Sequence, residues 1–291
     1  MKSAVVAIVG RPSSGKSTLL NALCGGKVSI VSPVPQTTRN RVRGIVNAEE
    51  GQLVFIDTPG FHISEKKLNR YMTELVVSTL AEVDAVLYVV DGTRPFGAEE
   101  RALLDALGRA ARPIVACLNK SDAPGPAWEE LRAAIAGALP GVSLIEISAL
   151  REKGLDELRA RLFSVSPDGE LLYPPDYYTD QTPDFRVSEI VREKAMLLTR
   201  EEVPHSLYVR MEDLEMRDDG AVLWARGFIC VERESQKGIL VGRAGERIKA
   251  ITRQAEEELS EIFPYPVKLD LRVKVDREWR KRDPLLRKMI Q

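Results

Sequence analysis

The sequence is poor in the residues that build disulfide frameworks and metal centres. Its 291 residues include only three cysteines and two histidines. Cys24, Cys117 and Cys230 are odd in number and widely spaced, and no histidine cluster accompanies them. Neither a disulfide-stapled fold nor a zinc site is therefore indicated. Unpaired cysteines suit a reducing compartment, so we expect a cytoplasmic protein.

Long apolar runs and a strong net charge are also missing. No stretch is long enough to predict a transmembrane helix, and the apolar run from Ala4 to Val9 is too short for a secretory signal. The formal net charge is -1, which argues against a general polyanion binder. With 44% hydrophobic residues and roughly twice the length of a typical domain, the chain is expected to form two domains with separate cores.

A phosphate-binding loop is the first strong motif. Residues 10–17 follow a short apolar strand pattern and precede a helical pattern, which is the context that this motif requires. Glycines let the backbone amides point at phosphates, and the helix amino terminus favours anions. Lys16 is expected to reach the β- and γ-phosphates, and Ser17 to offer its hydroxyl to Mg²⁺. The predicted phosphate-binding residues are Gly10, Arg11, Pro12, Ser13, Ser14, Gly15, Lys16, Ser17 and Thr18.

The base is predicted by a second motif, Asn119-Lys120-Ser121-Asp122, after an apolar run. The Asp122 carboxylate can accept hydrogen bonds from the guanine ring NH and exocyclic amine, and adenine lacks that amine. The motif therefore favours GTP over ATP and argues against a P-loop ATPase or small-molecule kinase. Ser148-Ala149, after the strand pattern 143–147, is a weaker signal for a backbone amide at the guanine oxygen.

The switch elements lie between these motifs. Asp57-Thr58-Pro59-Gly60 follows a buried strand pattern, so Asp57 is expected near Mg²⁺ and the Gly60 amide near the γ-phosphate. The polar segment 32–39 predicts a mobile first switch loop. Within it Thr38, or alternatively Thr37, would complete the Mg²⁺ ligands when the γ-phosphate is present. The expected catalytic residues are Lys16, Thr38 and Gly60.

The second half of the chain follows a segment rich in proline and turn formers at 166–176. The patterns there predict the order helix, strand, strand, helix, helix, strand. The long helix 246–262 has an apolar stripe of Ile248, Ile251, Ala255, Leu259 and Ile262. The acidic run 256–258 is interpreted as its solvated face.

A Gly-x-x-Gly loop, residues 242–245, lies between the two predicted helices. Such a loop lets a nucleic-acid backbone approach closely. The window 236–253 has five basic residues against one acidic residue, and the window 272–288 has eight against three. The predicted RNA-binding residues are Lys237, Gly242, Arg243, Ala244, Gly245, Arg247 and Lys249.

Over essentially its whole length the chain resembles the Era family of Ras-like GTPases. The motifs that carry the resemblance are Gly10-Arg11-Pro12, Pro35-Gln36-Thr37-Thr38-Arg39, Asp57-Thr58-Pro59-Gly60-Phe61-His62 and Asn119-Lys120-Ser121-Asp122. The resemblance implies an α/β fold, with a doubly wound, mostly parallel Ras-like P-loop GTPase domain at 1–168. A linker would follow at 169–183, and a smaller α+β type II KH domain with a basic tail at 184–291.

The same resemblance implies a GTP-controlled factor that binds the 3′ end of small-subunit ribosomal RNA and the 30S-type small ribosomal subunit, acting in its maturation as a monomer. The implied cofactors are GTP or GDP and Mg²⁺. Several related GTPases bind an activating potassium ion through an asparagine where this chain has Ser13, so K⁺ is a further candidate cofactor against which this departure argues. Ras-type enzymes have a water-orienting glutamine where this chain has Phe61, so we expect slow intrinsic hydrolysis.

Two rival functions remain distinct from this one. A signalling GTPase, or one held peripherally at the inner face of the cell membrane, would use the basic tail Arg280-Lys281-Arg282 to bind protein or lipid. A Der-like ribosome GTPase would carry two tandem GTPase domains, and its KH-like domain would lack the Gly-x-x-Gly loop. This chain has one phosphate loop and has the Gly-x-x-Gly loop.

Overall fold

The computed structural model describes residues 1–64, 66–125 and 128–289, and its internal contacts divide the chain into two units. The first unit comprises residues 1–29, residues 38–180 and the chain from 284 onward. The second unit comprises residues 30–37 and 181–283. No helix within the described ranges combines the length and apolar character needed to cross a bilayer.

The first unit is built on a six-stranded sheet in the order β2-β3-β1-β4-β5-β6. All neighbouring strands are parallel except β2 and β3, which are antiparallel. The strands are β1 (Lys2–Val9), β2 (Val42–Ala48), β3 (Gly51–Asp57), β4 (Ala85–Asp91), β5 (Ile114–Asn119) and β6 (Ser143–Glu146). The helices are α1 (Lys16–Cys24), α2 (Lys67–Glu82), α3 (Ala98–Arg109), α4 (Trp128–Ala138) and α5 (Leu155–Val165).

The central strands of this sheet are short apolar runs, as expected for strands covered on both faces. Every residue of β3 and of β4 is buried. Because β1, β3, β4 and β5 are parallel, their carboxyl ends meet at one edge, where Ile8 pairs with Asp57 and Asp91 with Asn119. The phosphate loop, Asp57 and the Asn119 motif all lie at that edge, where ligands usually bind in such sheets.

The second unit is a three-stranded sheet with helices. Strand β8 pairs antiparallel with β7 and parallel with β9. Its elements are α6 (Pro183–Leu197), α7 (Val203–Ser206), β7 (Tyr208–Arg217), β8 (Val222–Val231), α8 (Glu234–Val241), α9 (Glu246–Ile262) and β9 (Val267–Val275). The sequence predicted this order but not the one-turn helix α7. A last helix, α10 (Asp283–Met289), follows, and from residue 284 it belongs to the first unit.

Helix α9 packs through the stripe that the sequence predicted. Ile251, Ala255 and Leu259 are fully buried in the core of the second unit. The prediction that the acidic run 256–258 is a solvated face is wrong for two of its three residues, whose carboxylates bind groups of the protein. Glu256 accepts the Leu269 N–H at 2.9 Å, and Glu258 pairs with a lysine of α6. The reason is that α9 contacts both α6 and β9, so residues beside its buried stripe face those elements.

Much of the predicted linker is bound to the first unit. The Ile45 N–H donates to the Tyr178 carbonyl at 2.9 Å, and the Gln52 side chain accepts the N–H groups of Leu172 and Tyr173 at 2.9 Å each. Residues 169–180 thus run beside the edge strand β2 and bind the Gln52 side chain of β3. Contacts group residues 169–180 with the first unit, whereas the sequence predicted a separate linker at 169–183. Prolines and turn formers indicate a connecting segment but do not show which unit it packs against.

Residues 30–37, which include most of the predicted first switch loop, belong to the second unit. Ile30 packs in its core. The Val31 N–H donates to Glu193 at 2.7 Å, and the Arg192 guanidinium donates to the Thr37 carbonyl at 2.5 Å. Both charged side chains are almost fully buried in α6. Burying two charges is unfavourable unless they are paired or hydrogen-bonded, so these bonds hold the segment in a defined conformation.

Candidate functional site

The phosphate loop leaves β1 at Val9 and enters α1 at Lys16. The Lys16 ammonium lies inside the loop and donates to the carbonyls of Gly10 at 3.2 Å and Arg11 at 2.9 Å. Burial lowers the pKa of Lys16 to about 8, opposed by the nearby carboxylates of Asp57 and Glu100. An amine desolvated in this way is poised to bind a phosphate oxygen in exchange for the two carbonyls.

The side chain of Arg11 is directed away from the loop interior. Its guanidinium forms a buried ion pair with Glu100 of α3, and Glu100 also accepts the Tyr88 hydroxyl at 2.6 Å. Burial raises the pKa of Glu100, an effect that the Tyr88 hydrogen bond and Arg11 oppose. Arg11 was predicted among the nucleotide-binding residues. Its backbone carbonyl lies in the site, whereas its side chain braces the loop against α3.

The other predicted residues of the loop have different environments. Pro12 offers its carbonyl to Arg94 at 3.3 Å, and Ser13 is exposed with a left-handed φ of 64°. Ser14 is fully buried, and its hydroxyl has no partner among the described residues. Thr18 is half-buried in α1.

A cluster of hydroxyls surrounds Asp57 at the end of β3. The Ser17 hydroxyl donates to Asp57 Oδ2 at 2.6 Å and lies 2.8 Å from the Thr38 hydroxyl, which is itself 3.3 Å from the carboxylate. Ser29 also donates to Asp57, at 2.8 Å. Burial raises the pKa of Asp57, against the effects of Lys16 and these hydroxyls. The sequence did not predict a role for Ser29, because this residue lies outside the motifs described above.

The Asp57 cluster fits a divalent cation. Asp57 Oδ1 is buried with no partner within the described part of the chain, so one acceptor oxygen is available beside two hydroxyl ligands. Hard cations such as Mg²⁺ prefer such oxygen ligands. Of the two candidate threonines, the structure brings only Thr38 here. The Thr37 hydroxyl donates instead to the Val34 carbonyl at 2.6 Å.

Gly60 lies against the phosphate loop. A Cβ atom at this position would be 2.6 Å from Pro12 Cα, so only glycine permits the approach. The next residue, Phe61, donates its N–H to the Gly10 carbonyl at 3.0 Å, and its side chain is buried in the apolar core. The phenyl ring is therefore unable to orient a water molecule, both chemically and by position.

The guanine motif is joined to the phosphate loop through Asn119. Its amide nitrogen donates to the Ser14 carbonyl at 2.9 Å, and its amide oxygen accepts the Ala149 N–H at 2.9 Å. This one buried side chain thus fixes the phosphate loop relative to the 148–149 segment. The bond to Ser14 joins residues 105 positions apart in the chain. The sequence identified Asn119 by its motif and did not predict this contact.

Asp122 and Lys120 are held by partners of their own. The Ser148 hydroxyl donates to Asp122 at 2.5 Å, and this bond lowers the pKa of the exposed carboxylate. Lys120 donates to the buried Asp91 carboxylate at 2.6 Å. Burial would raise the pKa of Asp91, but the hydrogen bonds from Lys120 and Thr93 keep it low. An ionised, fixed Asp122 is suited to accept two guanine N–H groups.

The Gly-x-x-Gly loop of the second unit has the predicted place between α8 and α9. Gly242 and Gly245 have positive φ values of 74° and 79°. A Cβ at Gly242 would be 2.9 Å from the backbone N of Arg247. Arg243, Ala244 and Lys249 are exposed and Lys237 is half-buried, so these groups are open to a ligand. The Arg247 guanidinium instead donates to the Ile239 carbonyl and joins α8 to α9.

Comparisons with known proteins agree with both halves of this description. A family model for 50S ribosome-binding GTPases matches residues 5–120, and a KH-domain model matches residues 202–280. GTPase Era of Treponema denticola is 49% identical over 292 residues, covering 99% of each chain. GTPase Era of Treponema pallidum strain Nichols is 46% identical over 311 residues, covering 99% of this chain and 97% of that protein.

Two solved structures of Era match this chain over nearly its full length. The crystal structure of a single-residue variant of Aquifex aeolicus Era bound to GDP·AlF4⁻ has a TM-score of 0.94 at 40% identity, covering 99% of this chain and 98% of that one. A crystal structure of Era in complex with MgGDPNP and nucleotides 1506–1542 of 16S ribosomal RNA has a TM-score of 0.93 at 40% identity and the same coverage.

Proposed function

Because this chain belongs to the Era family of GTPases, we propose that it is a GTP-controlled factor that binds the 3′ region of small-subunit ribosomal RNA and acts in maturation of the small ribosomal subunit. One observation carries the proposal. A single chain joins a guanine-reading nucleotide site, organised by Asn119 and Asp122, to a KH unit whose Gly-x-x-Gly loop is exposed. The solved Era structure with MgGDPNP and 16S ribosomal RNA supports the same pairing of ligands.

We assign the nucleotide roles by position. Backbone amides of the phosphate loop, other than that of Pro12, and the Lys16 ammonium bind the phosphates, and Asp122 reads guanine. The Ala149 N–H, which donates to the Asn119 side chain in this structure, would exchange that bond for one to the guanine oxygen. Ser17, Thr38 and Asp57 would hold Mg²⁺, which when bound neutralises phosphate charge. We leave potassium out of the proposed cofactors, because the exposed Ser13 side chain offers a single hydroxyl.

The RNA roles fall to the 237–249 region. Gly242 and Gly245 let an RNA backbone approach, while Arg243 and Lys249 neutralise phosphates. Arg247 is assigned a supporting role, since its guanidinium holds α8 against α9. The apolar residue Ile239, which is 39% exposed beside the loop, is available to an unpaired base.

A change from GTP to GDP would affect the RNA-binding unit through the backbone that connects Thr37 to Thr38. Thr38 lies in the Asp57 cluster, whereas the carbonyl of Thr37 is bound by Arg192. A γ-phosphate that draws Thr38 onto the cation would shift the segment that Arg192 and Glu193 hold. That differential contact is what a two-state switch requires.

The test is binding of a single-stranded RNA that matches the ribosomal 3′ end to the full chain and to a Gly242→Asp, Gly245→Asp variant. We expect the variant to lose at least about tenfold in affinity, because two carboxylates would face the phosphates. Gly108→Asp is the matched control, since Gly108 is exposed on α3 with open space around it.

Equal RNA binding by the wild type and the double variant would contradict the proposed RNA site. Absence of RNA binding together with binding to anionic vesicles would instead favour a membrane-associated GTPase. Thermal melting of each variant shows whether the second unit remains folded.

A further inference from the structure

In the described part of the chain, the position where Ras-type GTPases have a water-orienting glutamine is taken by Phe61. Phe61 is buried in the apolar core of the first unit. Lys16 is the one cation inside the phosphate loop among the described residues. Beyond Lys16 and the Mg²⁺ assigned above, a further cation near the γ-phosphate would stabilise the charge that develops in the transition state.

Two arginine side chains lie at the phosphate loop, Arg11 from the loop itself and Arg94 from the loop between β4 and α3, and they differ in what they bind. The guanidinium of Arg11 is buried in its ion pair with Glu100 and is not available to the nucleotide. Arg94 is exposed, and its guanidinium donates to the Pro12 carbonyl at 3.3 Å. In the part of the chain that the structure describes, Arg94 forms no ion pair. Its partner is a neutral carbonyl, which is a weaker acceptor than a phosphate oxygen.

The position of Pro12 brings Arg94 to the γ-phosphate side of the loop. Gly60, whose amide is assigned to the γ-phosphate, packs against Pro12 so closely that a Cβ would be 2.6 Å from Pro12 Cα. Pro12 thus has the Gly60 backbone and the Arg94 guanidinium as neighbours. Arg94 would reach a phosphate oxygen by giving up its hydrogen bond to the Pro12 carbonyl.

The loop that carries Arg94 is built to a fixed shape. It joins β4 to α3 over residues 92–97. Asp91 accepts the N–H of Thr93 at 3.0 Å and its hydroxyl at 2.6 Å, and the Arg94 N–H donates to the Asp91 carbonyl at 3.3 Å. The same Asp91 binds Lys120 of the guanine motif. A backbone held in this way presents a catalytic group without much reorganisation.

We propose that Arg94 is a catalytic arginine supplied in cis. Its guanidinium donates hydrogen bonds to the transferring phosphoryl group while the bond from the γ-phosphorus to the β,γ-bridging oxygen breaks and the water oxygen bonds to phosphorus. The electron pair of the broken bond stays on GDP, and the proton lost by water ends on inorganic phosphate. Arg94 stabilises the added negative charge and is unchanged at the end. This assignment rests on the GTP hydrolysis proposed above.

The test uses the full chain with Arg94→Ala and Arg94→Lys, and with Arg109→Ala as matched control. Arg109 is an exposed arginine in the last turn of the same helix that follows the loop. Three quantities are measured: the single-turnover rate of GTP hydrolysis, the affinity for GDP, and capture of GDP with aluminium fluoride, which mimics the transferring phosphoryl group.

For Arg94→Ala we expect hydrolysis to fall by about 100-fold or more. The GDP affinity should stay within about threefold, since the missing contact belongs to the transition state. Fluoride-dependent capture of GDP should be lost. Arg94→Lys should keep part of both properties, and Arg109→Ala should behave as the wild type.

Hydrolysis and fluoride capture by Arg94→Ala within a few-fold of the wild type would overturn the assignment while leaving the proposed GTPase function intact. Equal losses of GDP affinity, thermal stability and hydrolysis would also overturn it, because they would make Arg94 a brace of the phosphate loop. A wild-type chain that binds GTP but never hydrolyses it would overturn both proposals.

Discussion

Replacing Asn119 with alanine is the sharpest test of how the nucleotide site is assembled. The Asn119 side chain is 2% exposed and makes two buried hydrogen bonds, one to the Ser14 carbonyl and one from the Ala149 N–H. Truncation leaves both backbone groups without their partner. Each unsatisfied buried group costs about 1–3 kcal/mol, so two sum to about 2–6 kcal/mol.

Water entering the space left by the amide would offset part of this cost. We therefore expect the free energy of unfolding of the first unit to fall by about 2–4 kcal/mol. A folded domain has only about 5–15 kcal/mol in total, so the variant should fold but unfold at clearly lower urea concentration. The affinity for GDP should fall by at least about tenfold, because the Gly15 turn of the phosphate loop rests on this amide.

The assay is urea unfolding of the nucleotide-free protein, followed by circular dichroism, with Asn119→Asp measured beside Asn119→Ala. The aspartate keeps the volume and the acceptor for Ala149 but places an oxygen against the Ser14 carbonyl. We expect it to be no more stable than the alanine variant. Losses below about 0.5 kcal/mol in both variants would refute this reasoning, since that is the range of an ordinary surface substitution. A stable aspartate variant would show that the bond donated to the Ser14 carbonyl contributes little, and that the side-chain volume and the acceptor for the Ala149 N–H suffice.

Three further predictions concern other parts of the chain. Asp122→Asn should weaken GDP binding and strengthen binding of xanthosine diphosphate, whose carbonyl replaces the guanine amine, in a competition assay; unchanged preference for guanine would remove Asp122 from base recognition. Leu259→Ala should destabilise the second unit by about 2–5 kcal/mol, because Leu259 is fully buried in its core, whereas Leu150→Ala at an exposed site should stay within about 0.5 kcal/mol in the same melt. Arg192→Gln should reduce the difference in RNA affinity between the GTP-analogue and GDP states, measured by fluorescence anisotropy; a difference as large as in the wild type would exclude Arg192 from the coupling.

Sequence reasoning located the motifs because each carries its own spacing. The phosphate loop, the Asp57 segment and the Asn119 motif all follow apolar strand patterns, and parallel strands bring their carboxyl ends to one edge. The choice between Thr37 and Thr38 was open in the sequence. It was decided by the direction of two adjacent side chains, which no local pattern encodes.

The contacts that the sequence did not predict join residues far apart in the chain. The ion pair of Arg11 with Glu100 links residues 89 positions apart, and nothing in the phosphate-loop motif requires an acid in α3. Residues 30–37 of the second unit are bound by Arg192 and Glu193, two charged residues of a helix for which the sequence predicted only a place in the element order. Buried charges of this kind become visible only when their partners are known.

The measurement that tests the central claim most directly is the affinity of the full chain for an RNA matching the ribosomal 3′ end, compared between the complexes with a non-hydrolysable GTP analogue and with GDP. A GTP-controlled RNA-binding factor predicts tighter binding with the analogue, by at least about fivefold for an ordinary coupling free energy. Equal affinity in the two states would contradict it.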